Sequence, residues 1–155
     1  MRPMKISKKT VYALRAVFEL ARQHGGGPVT IAAIAEAQAL PARFLENILY
    51  QLKLGGIVTS ARGREGGYWL ARPPDEVSVG DVLRLMEATV NVVECLGGNM
   101  RDDCPLRDNC VFLPMWSRAH RAMLAVYNGT SYGDLVREHS AGTSKKKTPG
   151  LAEFI

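Results

Sequence analysis

PARFLENILYQLKLGGIVTSARGREGGYWLAR, residues 41–72, changes its hydrophobic period halfway along, and that change decides the fold. From Pro41 to Leu54 the apolar residues Phe44, Leu45, Ile48, Leu49 and Leu52 return every three or four positions, which predicts a helix with one buried stripe. Pro41 suits the first helical position, and Gly55-Gly56 supplies a left-handed stop. The opposite face carries Arg43, Glu46, Asn47 and Tyr50. Beyond the glycines, Ile57 to Ala61 and Tyr68 to Ala71 read as two short strands. Between them Arg62, Gly63, Arg64, Glu65, Gly66 and Gly67 form a glycine-punctuated loop with two arginines at its tip.

The segment before Pro41 gives this helix a context. Thr30 is a candidate N-cap for a short helix to about Ala37, with Ile31, Ile34 and Ala35 turned inward and residues 38–40 as a tight connection. A short helix, a brief turn and a second helix with a polar outer face make a helix-turn-helix, and the hairpin adds a wing. Such a helix fits a major groove about 12 Å wide, while a basic tip reaches a minor groove or phosphates. The plainer alternative is a surface helix and an ordinary hairpin, with Arg43 and Glu46 paired along the helix. The expected fold is mainly α with a small β-hairpin. Residues 4–74 would form a winged helix-turn-helix domain that binds double-stranded promoter DNA through Arg43, Glu46, Asn47, Arg62, Gly63 and Arg64.

The chain has 155 residues, 46% of them hydrophobic and 23% charged, enough for one proper core. A net charge of +5 is compatible with a polyanion partner without requiring one. No apolar run has the length of a membrane span and no signal peptide opens the chain, so the expected location is the cytoplasm, where a disulfide framework is disfavoured. Walker, dinucleotide, zinc-protease and nucleophile-elbow motifs are all missing, and His24, His120 and His139 are scattered, so no enzyme is expected.

A first helix should begin near Ser7, with Val11, Leu14, Phe18 and Ala21 on one face and Ala13, Val17 and Leu20 broadening it; Lys8, Lys9 and Arg15 near its start can touch phosphates. Ser78 and Asp81 form a capping-box pattern opening a helix to about Ala88 that buries Val79, Val82, Leu83 and Met86. From Val111 to Tyr127 the residues Phe112, Met115, Trp116, Ala119, Met123 and Val126 make an apolar stripe, and no other element is large enough to cover it. We read it as the seam of a homodimer, with a core helix of the same monomer as the alternative, since two-fold symmetry lets two recognition helices read half-sites about one turn apart. Residues 75–138 thus form a dimerisation region, Thr130 or Ser131 caps a last helix to Glu138, and residues 139–155, with a lysine run, read as a mobile basic tail. No internal repeat is evident.

Residues 89–110 have no periodicity and contain every cysteine, Cys95, Cys104 and Cys110, separated by eight and by five residues. Structural zinc commonly uses four ligands with closely spaced cysteine pairs, which are missing. A thiol sensor needs one or two cysteines near cations such as Arg101 or Arg107. Inert buried cysteines sit poorly in a segment rich in glycine and aspartate. An iron–sulfur cluster fits best, because thiolates hold such clusters from irregular loops. Its remaining ligand would come from Glu94, Asp102, Asp103, Asp108, His120, the other subunit or water. A small iron–sulfur electron carrier is the rival from another class, and it would need no basic wing.

With these residues in view the chain resembles the Rrf-type bacterial winged-helix transcription regulators, which have IscR-like, NsrR-like, RirA-like and CymR-like branches. The resemblance covers roughly residues 4–138. It rests on Met4-Lys5-Ile6-Ser7 with Tyr12-Ala13, Leu45-Glu46, Gly55-Gly56-Ile57-Val58, Arg62-Gly63, Gly66-Gly67-Tyr68, Leu70-Ala71-Arg72 and the cysteine loop before a long helix. It implies a homodimer, base-choosing positions at Arg43 and Glu46, a wing arginine at Arg62, and phosphate-facing Lys9 and Tyr12. The cluster branch implies Cys95, Cys104 and Cys110 as ligands and a regulator that senses iron–sulfur status, oxidants or nitric oxide; the CymR-like branch implies a cluster-free thiol sensor. This chain departs from IscR-like members, which have a shorter first cysteine gap and a histidine where Leu113 stands. Where some relatives place a carboxylate in the first helix, it has Val11. The cluster type, 2Fe–2S or 4Fe–4S, is therefore left open by the residues.

Overall fold

The computed structural model describes residues 6–87, 90–96 and 104–142. Its helices are α1 (Lys8–Arg22), α2 (Ile31–Gln38), α3 (Ala42–Leu54), α4 (Val79–Met86), α5 (Leu113–Gly129) and α6 (Tyr132–Gly142), with a hairpin of β1 (Val58–Ala61) and β2 (Gly67–Leu70). This is the winged helix-turn-helix architecture, mainly α with one small hairpin.

Local chemistry sets most of the boundaries. Ser7, Thr30 and Ser78 cap α1, α2 and α4 by accepting from backbone N–H groups three residues on, and Asp81 completes the capping box at α4. Pro41 stands one place earlier than expected, as the N-cap of α3 rather than its first residue. Ala39 takes a left-handed backbone (φ 51°) and so makes the sharp turn between α2 and α3. The helix expected to reach Ala88 ends at Met86, and α6 runs past its expected end at Glu138 to Gly142. Met4, Lys5 and the lysine run at 145–147 lie outside the described residues.

The core is built on α1. Ala13, Ala16, Val17 and Leu20 are almost fully enclosed and meet Ile34 of α2, Leu45, Ile48, Leu49 and Leu52 of α3, Val58 and Leu70 of the hairpin, Val82 of α4 and Tyr132 of α6. It therefore continues past residue 74 into Val77, Val82 and Tyr132. The face expected on Val11, Leu14 and Phe18 is only half-buried; the deeper one is a step round the helix. Glu19 is also enclosed. Burial alone would push its carboxyl up, but hydrogen bonds from Gln23 (3.1 Å) and Gln38 (2.8 Å), with Arg22 at 2.9 Å, outweigh that and hold it below the usual range. The Gln38 bond fastens the end of α2 to α1.

A short repeat, against the expectation of none, joins α4 to α6. Asp75-x-x-Ser78-x-Gly80-Asp81-x-x-Arg84 recurs as Asn128-x-x-Ser131-x-Gly133-Asp134-x-x-Arg137. The two copies run antiparallel through Ser78 and Ser131, with Val79 N–H donating to Thr130 O (2.9 Å) and Tyr132 N–H to Val77 O (2.8 Å). Each arginine bonds the aspartate of its own copy at 2.7 Å and crosses to the other: Arg84 to Asn128 (2.5 Å), Arg137 to Asp75 (2.8 Å). Gly80 and Gly133 permit the crossing, since a Cβ at either would run into Asn128 Oδ1 or Asp75 Oδ1. The end of α5 is thereby clasped to the start of α4.

Candidate DNA-binding face and cysteine segment

α3 lies with Leu45, Ile48, Leu49 and Leu52 inward and Arg43, Glu46, Asn47 and Tyr50 exposed. Phe44 is a correction to the expected stripe: the residue is 46% exposed, at the edge of the apolar face. The pairing of Arg43 with Glu46 does not form among the described residues; the Arg43 guanidinium lies 4.7 Å over the Phe44 ring instead. Tyr12 of α1 stands beside that ring, with centroids 6.4 Å apart. Asn47 accepts a hydrogen bond from Gln51 (2.8 Å), and Lys53 donates to Ser60 (2.7 Å), fixing the end of α3 against β1.

The wing is anchored at its root and open at its tip. Val58 pairs with Leu70, Thr59 with Trp69, Ser60 with Tyr68 and Ala61 with Gly67. Val29, from the chain before α2, exchanges two backbone bonds of 2.9 Å with Tyr68. At the tip Gly63 has φ 106°, a conformation that favours glycine, and its carbonyl accepts from Gly66 N–H (3.0 Å). Arg62 and Arg64 are exposed on either side of it, and Lys9 is exposed at the start of α1. The geometry thus presents Arg43, Glu46, Asn47 and Tyr50 of α3, a two-arginine tip and Lys9 without any of them being used in the core, while Tyr12 packs partly against it.

The cysteine segment leaves α4 through Glu87. One carboxylate oxygen of Glu87 accepts from Ser7 N–H (2.9 Å) and from Thr10 Oγ1 (2.5 Å), so the root of the segment is tied to the start of α1. Burial would raise this carboxyl; the bonds from Thr10 and Ser7 outweigh it and hold it low. Cys95 and Cys110 are half-buried and Cys104 is exposed, all as free thiols. Asp102, Asp103 and Arg101 lie outside the described residues. Among the described residues no three His, Cys, Asp or Glu side chains gather closely enough to hold a metal ion. The donor chemistry nonetheless suits thiolate ligation: three free thiols, and on α5 a His120 whose buried Nδ1 has no hydrogen-bond partner among the described residues.

No residue of α5 is buried. Phe112, Met115 and Val126 are 59%, 44% and 64% exposed, Ala119 is exposed, and Trp116 and Met123 are half-buried. Its helix begins at Leu113, so Phe112 caps it rather than lying within it. No helix among the described residues is long and apolar enough to cross a membrane.

The family model described as "Rrf2: Iron-dependent Transcriptional regulator" matches residues 6–138. The HTH-type transcriptional regulator CymR of Bacillus subtilis is 36% identical over 132 residues, spanning 85% of this chain and 89% of that protein. The solved structure of B. subtilis CymR, titled the global cysteine regulator, superposes with a TM-score of 0.71 over 86% of this chain and 96% of that one, at 34% identity. The HTH-type transcriptional regulator IscR of Aliivibrio salmonicida is 32% identical over 86% of this chain and 77% of that protein. The structure of T. potens IscR gives a TM-score of 0.70 at 30% identity and covers 96% of both chains.

Proposed function

We propose, from the premise that this chain belongs to the Rrf2 family of transcriptional regulators, that it is a cytoplasmic homodimer gripping operator DNA with α3 and the wing and tuning that grip through its three cysteines. The observation that carries the reading is the exposure of Arg43, Glu46 and Asn47 on the side of α3 away from the core, together with the exposure of Arg62 and Arg64 at the wing tip. Side chains in the first turns of a recognition helix meet base edges, and basic wing residues meet phosphates or the minor groove. Lys9 and Tyr12 at the start of α1 extend the same face. Pairing α5 with its symmetry copy covers Phe112, Met115, Trp116, Ala119, Met123 and Val126 and brings two such faces together.

Cys95, Cys104 and Cys110 are the residues that would hold an iron–sulfur cluster, with His120 among the candidates for a further ligand. When bound, the cluster supplies a link among the thiolates that oxidants and nitric oxide can break. Glu87 gives the cysteine segment a route to DNA, because its carboxylate fastens the segment's root to the helix that carries Lys9 and Tyr12. The second reading, a cluster-free thiol sensor, is favoured by one observation: among the described residues the three sulfurs form no group that could hold a metal ion. Iron and sulfide content of protein purified without oxygen separates the two.

Arg62→Ala is expected to weaken operator binding by about 1–3 kcal/mol if the arginine makes a good groove contact. A titration at fixed salt measures it, and unchanged affinity would remove the wing from the interface.

A further inference from the structure

Arg43 sits in the first turn of α3, on a helix where residues one apart do not normally face each other. Its guanidinium nevertheless folds sideways to lie 4.7 Å over the neighbouring Phe44 ring. Phe44 is almost half exposed, on a helix whose other large apolar residues up to Leu49 are enclosed. Tyr12 stands on its flank. Glu46, the acidic residue three positions on, makes no ion pair with Arg43 among the described residues. The cation is thus positioned by aromatic carbon and leaves its hydrogen-bonding edge unspent.

We propose that Phe44 is a specificity-determining positioning residue, a shelf that holds the Arg43 guanidinium ready to donate two parallel hydrogen bonds to one guanine in the operator. The inference rests on the DNA-binding reading above and deepens it. A guanidinium free in solution samples many rotamers and loses that freedom on binding; one already laid on a ring loses less. The guanine O6 and N7 atoms are the acceptors that a planar fork matches. The ring also keeps the carboxylate of Glu46 from capturing the cation between binding events.

The test uses the full chain and a duplex recovered from random-sequence DNA by the wild-type protein, at one salt concentration. Phe44→Ala should weaken binding to that duplex by about two- to five-fold, the range of an exposed cation–π contact. Affinity for unrelated duplex and the melting temperature should stay unchanged, since the ring is outside the core. In an Arg43→Ala background the same change should have no effect, and Phe44→Tyr should restore wild-type binding. Replacing the contacted guanine by 7-deazaguanine should likewise cancel the Phe44→Ala penalty. Equal penalties with and without Arg43 would mean that the ring touches DNA itself, and would overturn the shelf. A wild-type chain that enriches no duplex would instead overturn the DNA-binding reading on which the shelf depends.

Discussion

Tyr132→Ala is expected to cost about 3–5 kcal/mol of folding free energy, the range for emptying a buried aromatic site. Tyr132 is 1% exposed, the largest of the fully enclosed side chains, and it fills the space between α6 and α1. Its hydroxyl donates to Leu14 O at 3.2 Å, and burial pushes its ionisation far above the ordinary phenol range, so it stays neutral. Because a domain of this kind is stable by only about 5–15 kcal/mol, such a loss takes a large share of the total. Tyr132→Phe, which gives up only the hydrogen bond, should lose about 0.5–1.5 kcal/mol. Urea denaturation followed by circular dichroism measures both. A penalty under about 1 kcal/mol for the alanine variant would show that α6 unfolds separately from α1.

Placing glutamates at Met115 and Val126 together is expected to leave a folded monomer with operator affinity reduced roughly 10²–10⁴-fold. That is the range lost when two linked contacts become independent ones. Both side chains are already exposed in the single chain, so the substitutions should not disturb its core. In a symmetric pair, however, each glutamate would be buried beside an apolar partner face without a counter-charge. Sedimentation analysis at micromolar concentration measures the mass. A dimer that survives the double substitution would place the interface away from α5.

What could be read directly from residues was local. Thr30, Ser78 and the Gly55–Gly56 pair mark helix ends because caps act within a few residues of themselves, and the change of period after Leu54 marks the hairpin. Phe44 was misassigned because periodicity gives the direction of a stripe and not its width; at the edge of the stripe the neighbouring element decides exposure, and here Tyr12 leaves the ring open. The clasp between α4 and α6 left a trace in the two copies of Ser-x-Gly-Asp, but its purpose is reciprocal. The meaning of Asp75 and Asn128 emerges only when each meets the arginine of the other copy. Glu19 could not be recognised as a core carboxylate, because Gln38 is brought to it by the packing of α2 on α1. The cysteines are the extreme case: sequence gives their number and spacing, while convergence depends on a segment whose residues carry no hydrophobic period to dictate it.

The central claim is that the DNA grip of α3 and the wing responds to what the three sulfurs hold. It is tested most directly by titrating one oxygen-free preparation against its selected duplex before and after its iron is removed by chelation, with Cys104→Ala alongside. The account predicts iron and sulfide in the wild-type protein, neither in the variant, and an affinity that shifts by about tenfold (roughly 1.4 kcal/mol of coupling) on iron removal while the variant stays at the iron-free value. Wild-type protein that contains iron and sulfide yet binds with the same affinity after their removal would contradict it.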